Sequence, residues 1–452
     1  MGASRMIRQG ALGRSLHALL AVALLAAAQA AVAGPDIQRW QLDNGVKVHF
    51  VAAPELPMVD ARLVFDAGSA RDGERYGLAL MTNGLLVEGT AGKDADAVAR
   101  GFERLGARYD AQALRDMAIV SLRSLNDAEY LQPAADLLAD LVRAPSFPQE
   151  SLERDRRNVL VALARKQQVP GEIAKDAFYA GLYGEHPYAH PSLGKPATVQ
   201  ALTREDVQDF HQRLYVGNNA ILAIVGDLDR AGAEALAERL AGGLPAGEPA
   251  PALPAVQWPR QGMEQVERIQ HPSEQAHLLL GMPALTRDHP DYFPLYVGNH
   301  VLGGSGLVSN ISDAIREQRG LAYSAYSYFA PMRRKGPFIV GMQTRGDQAD
   351  EAVTVLSEVI GDFIAEGPSA QRLEASKKNI VGGFPLRLDS NSSILEYVAM
   401  MGFYDLPADY LDTFVERVQA VTAEQIQAAF QRAVDPAQLY RVHVGGGTEA
   451  AP

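Results

Sequence analysis

Hydrophobic and polar positions along the chain fall into runs whose lengths and breaks separate strands from helices. Ile37–Leu42 and Val46–Val51 are strand-length runs on either side of Asp43-Asn44-Gly45, a triplet tolerant of positive φ, so the pattern predicts a hairpin. Val59–Phe65 predicts a further strand, and Gly77–Val87 reads as a buried helix. Asn126-Asp127-Ala128-Glu129 has the form of a capping box and predicts a helix from there to about Pro145. Pro148 suits the first turn of the next helix, which has to stop before Pro170.

At a larger scale the same pattern divides the chain. Arg5, Arg8 and Arg14, then the unbroken apolar run Ala18–Ala28, then Ala31-Val32-Ala33, have the order of a cleavable export signal. Residues 1–33 are therefore expected to be a signal peptide, with the mature chain beginning at Gly34. The apolar run is too short to span a membrane, and no later stretch is long enough, so no stable membrane insertion is expected. Residues 243–260 form a stiff linker rich in proline, with Pro245, Pro249, Pro251, Pro254 and Pro259. It separates two parts, 34–242 and 261–448, each of ordinary domain size.

The two parts resemble each other. Val199-Gln-Ala-Leu-Thr203-Arg-Glu-Asp-Val207-Gln208 aligns with Val418-Gln-Ala-Val-Thr422-Ala-Glu-Gln-Ile426-Gln427 at an offset of 219, and the same offset lays Val225-Gly226 on Val444-Gly445. Each copy predicts a threonine-capped helix followed by a strand that ends the domain, which points to duplication. The order of elements implies an α+β fold, with each half a sheet bearing helices on one face. Two such halves on a stiff linker suggest a clam-like arrangement with a chamber for ligand between them.

Composition narrows the chemistry. The 452 residues carry a formal charge of −12, and losing three signal-peptide arginines takes it to −15. So acidic a chain is not expected to bind nucleic acid. With no cysteine, thiol nucleophiles and thiolate metal sites are excluded. Gly303-Gly304-Ser305-Gly306-Leu307 lacks the last glycine of a serine-hydrolase elbow, and no Gly-Lys-Ser/Thr follows a glycine run.

The stretch Gly77-Leu-Ala-Leu80-Met-Thr-Asn83-Gly84-Leu-Leu-Val-Glu-Gly89-Thr90 carries the most specific signal. Its frame resembles the M16 metallopeptidases, the insulinase and mitochondrial processing peptidase group. The resemblance implies a helix with an inverted zinc motif, His-x-x-Glu-His, whose histidines lie four apart on one face and whose glutamate polarises the metal-bound water. Here the histidine slots hold Leu80 and Gly84, and the glutamate slot holds Asn83. The family's remote glutamate ligand falls on Ala162, in Asp155-Arg-Arg-Asn-Val159-Leu160-Val-Ala162. Leucine, glycine and alanine side chains have no ligand atom, and an amide cannot take up a proton at neutral pH. No metal and no cofactor are expected on this chain. Gly84 costs its helix roughly 1 kcal/mol relative to alanine, and close packing is the expected compensation.

The second half keeps more of the family pattern. Leu302-Gly-Gly-Ser-Gly-Leu-Val-Ser309-Asn310-Ile311 resembles its glycine-rich loop and helix start, and Arg316-Glu-Gln-Arg-Gly320-Leu-Ala-Tyr323 resembles its arginine–tyrosine pair across a helix-to-strand turn. The resemblance implies that Arg316 and Tyr323 hold a substrate carbonyl and stabilise its developing oxyanion, roles that suit a permanent cation and a directed phenol. Gly106-Ala-Arg-Tyr109-Asp110-Ala111 resembles the family's substrate-side strand, so Asp110 and Ala111 are candidate peptide-binding positions. His186-Pro-Tyr188-Ala-His190-Pro-Ser-Leu193-Gly194 is similar to a family loop, and its two prolines exclude a helical His-x-x-x-His metal pair.

Together these readings predict a non-catalytic subunit of an exported M16-type zinc peptidase. Its partner would be a paralogous subunit with an intact His-x-x-Glu-His, the zinc would sit on that partner, and the substrates would be unfolded peptides. The alternative is a peptide-binding, chaperone-like or assembly protein without catalysis. The expected location is the periplasm in a Gram-negative host, and outside the cell otherwise.

Overall fold

A computed structural model describes residues 34–446 except Ala91, Gln261 and Met263. The expected signal peptide and residues 447–448 of the second domain lie outside the described residues. The hairpin around Asn44-Gly45 is present: β1 (Gln38–Gln41) pairs antiparallel with β2 (Lys47–Ala52), and Gly45 takes φ 95°. With β3 (Met58–Phe65), β4 (Arg108–Ala113), β5 (Ala118–Leu125) and β6 (Ala220–Gly226) it forms a six-stranded sheet, order β1-β2-β6-β3-β5-β4. The second half builds a five-stranded sheet from β7 (Val266–Ile269), β8 (Gln275–Leu285), β9 (Ala325–Phe329), β10 (Gly336–Arg345) and β11 (Tyr440–Gly445), order β9-β10-β8-β11-β7.

The sheets establish the duplication at the level of topology. The run β2-β6-β3-β5-β4 matches β7-β11-β8-β10-β9 at every step. The first pair in each is parallel and the other three are antiparallel.

The helices that position the site are α1 (Leu78–Leu85), α2 (Gln149–Lys166), α3 (Pro170–Tyr183), α4 (Arg204–Leu214), α5 (Asn391–Phe403) and α6 (Ala423–Ala433). The repeated threonines act as expected: Thr203 caps α4 and Thr422 caps α6, each in a full capping box. Two local expectations shift. The helix after β5, Ala128–Arg143, is capped by Asp127 rather than Asn126, whose side chain instead donates to the Asp227 carbonyl. Pro148 precedes α2 as its cap residue. As expected α2 stops short of Pro170, at Lys166, and Pro170 opens α3 at its first turn.

Each sheet packs helices of its own half on one face, α1, α4 and Ala128–Arg143 among them in the first half. The other face takes a helix from the opposite half. Helix α3 lies across β8 and β11, burying Ala174, Phe178 and Leu182 with Ile339, Tyr440 and Val442. Helix α5 lies across β6, β3 and β2, burying Leu395, Val398 and Phe403 with Val51, Val64, Ile221 and Val225. Each lent helix meets its sheet at a glycine. A side chain at Gly181 would run into the Tyr440 ring, and one at Gly402 would lie 2.7 Å from Ile221. Tyr440 and Ile221 are themselves 219 residues apart, so the duplication includes this contact.

Along these two helices the halves are packed directly against each other. The linker does not swing free. Pro251 O accepts from Arg71, Pro254 O lies 3.0 Å from His186 Nε2, and Leu253 is buried.

His49 on β2 lies under α5, against Gly402. Burial, then the nearby Arg39 charge, pushes its imidazole down from 6.5 to about 4, with Lys47 adding to this and the Val398 backbone and Asp405 opposing it. The folded state thus binds the His49 proton only near pH 4, whereas the unfolded chain binds it at 6.5. The stability this group contributes is complete above pH 6.5 and is lost as pH falls from 6.5 towards 4, by up to about 3 kcal/mol. Urea unfolding at pH 7.5 and pH 5 should show this loss in the wild type, and a smaller one in His49→Gln.

Candidate functional site

Helix α1 is fixed from four sides. Asp72 sits buried at its start, and its carboxylate accepts from Gly77 N at 2.8 Å and Ala79 N at 2.7 Å, two of the amides a helix start leaves unpaired. Burial pushes the Asp72 carboxyl up to about 7 against these two hydrogen bonds. Along its length α1 packs on α4, α2 and β4.

The four degenerate motif positions divide into two kinds. Leu80 is half-buried, and Gly84, one turn on, is exposed. Ala162 is exposed on the neighbouring α2. All three former ligand slots are thus reachable from outside the core. The compensation expected at Gly84 is absent, since a Cβ there would meet nothing within 4 Å among the described residues. Asn83 points the other way. It is 1 % exposed, its Nδ2 donates to Ile119 O at 3.1 Å, and its Oδ1 accepts from Tyr215 Oη at 3.0 Å. A carboxylate could accept from Tyr215 but could not donate to Ile119 O. The amide in the slot of the general base has become a structural crosslink to β5. Tyr215 lies 132 residues from Asn83, and nothing in the local sequence announces it.

Strand β4 is the outermost strand of its sheet, bonded to β5 alone. Asp110, opposite Ser121, is exposed, and Ala111, opposite Val120, is half-buried. One backbone edge of β4 is therefore unpaired beside α1, as the edge-strand expectation requires.

In the second half, Ser309 caps a short helix by accepting from Ser312 N. Arg316 follows, and the chain turns through Gly320, φ 63°, before β9. The Arg316 guanidinium carbon lies 4.7 Å from the centre of the Tyr323 ring, and Nε is 3.4 Å from Glu317. Tyr323 is 82 % exposed. The pair is assembled and stacked, and its described contacts are within its own turn.

The loop after α3 has a structural role. His186 receives the Tyr188 amide at Nδ1 and reaches Pro254 O with Nε2. His190 stacks on Tyr76 at 4.3 Å, and burial pushes it down to about 4. A cavity of about 920 Å³ opens between this loop, α2, α3 and the end of β7, lined by Tyr76, Lys166, Asp176, His186, Lys195 and Ile269. Neither Leu80, Gly84 nor Arg316 lines it.

Among the described residues, no group of three or more histidine or acidic side chains is placed to hold a metal ion. Leu80, Gly84 and Ala162 carry no side-chain ligand atom, so a catalytic zinc does not fit at these positions. Among the same residues, no helix is long and apolar enough to cross a membrane.

Comparison with known proteins gives a consistent picture. Residues 47–196 match the family model described as insulinase (peptidase family M16), and residues 201–380 match the one described as peptidase M16 inactive domain. A solved structure of a peptidase M16 inactive domain from Pseudomonas fluorescens is 37 % identical, with a TM-score of 0.88 over 92 % of this chain and 100 % of that one. A Helicobacter pylori relative named non-peptidase homolog YmxG is 27 % identical over 82 % of this chain and 85 % of its own length. A Bacillus subtilis relative named uncharacterized zinc protease YmxG is 25 % identical over 86 % and 94 %.

The geometry makes one unequal forecast. Leu80→His, Gly84→His and Ala162→Glu together should give a chain that retains one zinc ion through dialysis, measured by elemental analysis, with little loss of stability because the slots are accessible. Asn83→Glu should lower stability by about 2 kcal/mol or more, since it buries a carboxyl against a carbonyl oxygen. Urea unfolding of the two variants tests the difference.

Proposed function

Because this chain belongs to the M16 peptidase family, we propose that it is a non-catalytic subunit of an exported two-chain zinc peptidase. The carrying observation is selective loss. All three ligand slots and the base are replaced, while Arg316 and Tyr323 stand stacked and exposed in the other half. In this reading a second, paralogous chain with an intact His-x-x-Glu-His brings the zinc and its water. Arg316 supplies a fixed positive charge to the scissile carbonyl oxygen of an unfolded peptide. Tyr323 donates a hydrogen bond to the same oxygen as negative charge develops on it. In the same reading the second chain supplies the wall of the substrate chamber that faces the pair.

The unpaired edge of β4 beside α1 supports a second reading, in which the chain holds extended peptides without cleaving them. Asp110 and Ala111 would then flank the bound strand. The readings part in the reconstituted pair. For the split peptidase, Arg316→Ala and Tyr323→Phe should each lower kcat by about 10²-fold or more, as loss of one oxyanion donor does, with assembly unchanged by size-exclusion chromatography. Full activity of the Arg316→Ala complex would remove the proposed role, and peptide binding by this chain alone, insensitive to chelators, would favour the second.

A further inference from the structure

The described chain begins at a contact whose chemistry depends on how the chain is cut. Residues Gly34–Arg39 run from the expected leader to β1 and lie against the second half. Ile37 touches both the second-half core and the layer beneath α5, and the Arg39 guanidinium donates to Leu406 O at 3.3 Å. Gly34 approaches closest. An ideal Cβ on it would lie 2.7 Å from Asp412 Oδ1, 3.1 Å from Asp412 N and 3.3 Å from the Leu411 carbonyl carbon. A side chain at 34 would press on the Asp412 carboxylate and crowd the backbone of Leu411 and Asp412. The Gly34 nitrogen lies roughly 2.5 Å from a Cβ position by backbone geometry, so it is within about 5 Å of the Asp412 carboxylate.

The surface met here is acidic. Asp405, Asp409 and Asp412 lie on one turn after α5. Lys47 pairs with Asp405, and Arg39 feels both Asp405 and Asp409. Among the described residues Asp412 has no cationic partner. In an uncut chain the Gly34 nitrogen is a neutral amide. Hydrolysis of the Ala33–Gly34 bond consumes one water, leaves the carboxylate on Ala33 and makes the Gly34 nitrogen an ammonium, a cation within reach of Asp412.

We propose that the chain is processed between Ala33 and Gly34 and that the new α-ammonium pairs with Asp412, clipping the mature N-terminus onto the second half. The sequence Ala31-Val32-Ala33 supplies the small residues a signal peptidase needs. The glycine at 34 supplies the close approach, and the acidic turn supplies the charge. The Ala30–Ala31 bond, also flanked by small residues, would place the ammonium three residues away from this carboxylate.

The test uses the chain expressed with its own leader and purified from the envelope or medium. N-terminal sequencing should begin Gly-Pro-Asp-Ile. A water-soluble carbodiimide should then join the Gly34 amine to the Asp412 carboxyl with loss of one water, read as a cross-linked peptide by mass spectrometry. The cross-link should vanish in Asp412→Asn and in a chain that keeps Ala31–Ala33 ahead of Gly34. The α-amine should titrate a few tenths of a unit above its ordinary range of about 7.7–8.0 and return to it in Asp412→Asn. A mature chain beginning elsewhere overturns the cleavage site. A chain beginning at Gly34 with no cross-link, and an amine indifferent to Asp412→Asn, overturns the pairing. Neither outcome touches the role of Arg316 and Tyr323.

Discussion

The structure depends on an exchange of helices between its two halves. A sheet with helices on only one face leaves the other face exposed, and α3 and α5 each cover that face on the opposite half. The exchange makes neither sheet complete by itself. It also explains why two glycines fall inside helices, where they weaken the helix by roughly 1 kcal/mol each. At Gly181 and Gly402 the helix backbone has to lie directly on Tyr440 and Ile221, and the closeness of that contact offsets the cost.

Polar groups reinforce the same junction. Asp116, at the turn between β4 and β5, accepts from Tyr188 Oη at 2.5 Å, Tyr404 Oη at 3.1 Å and Arg333 N at 2.8 Å. One buried carboxylate thus gathers a loop of the first half, the β9–β10 connection and the end of α5. Its neighbour Arg115 donates to the carbonyls of Tyr188 and His190 and lies over the Tyr179 ring at 4.1 Å. Buried charges of this kind are tolerable only when fully partnered, so the turn has little freedom to move. The contacts it makes tie the two halves together.

The four positions of the altered motif differ in what they hold together. Leu80, Gly84 and Ala162 lie at or near the surface, so their side chains carry little of the core. Asn83 is buried, and its amide bonds to β5 and to Tyr215. The helix therefore depends on Asn83 more than on the other three. The Arg316–Tyr323 pair, on a different half and a different turn, is independent of all four.

Much of this was legible in the chain. The hairpin at Asn44-Gly45, the threonine-capped helices at 203 and 422, the duplication, the altered motif and the Arg316–Tyr323 turn all rest on local preferences or on fixed short spacings. Such signals are written in neighbouring residues, because turn chemistry, capping and helical periodicity act over a few positions. What the sequence could not determine is what meets across long separations. The bond from Tyr215 to Asn83, the bonds from Arg333 and Tyr404 to Asp116 and the glycine contact of each lent helix all pair residues more than a hundred positions apart. Close packing between surfaces chooses such pairs, and a surface exists only once the chain has folded.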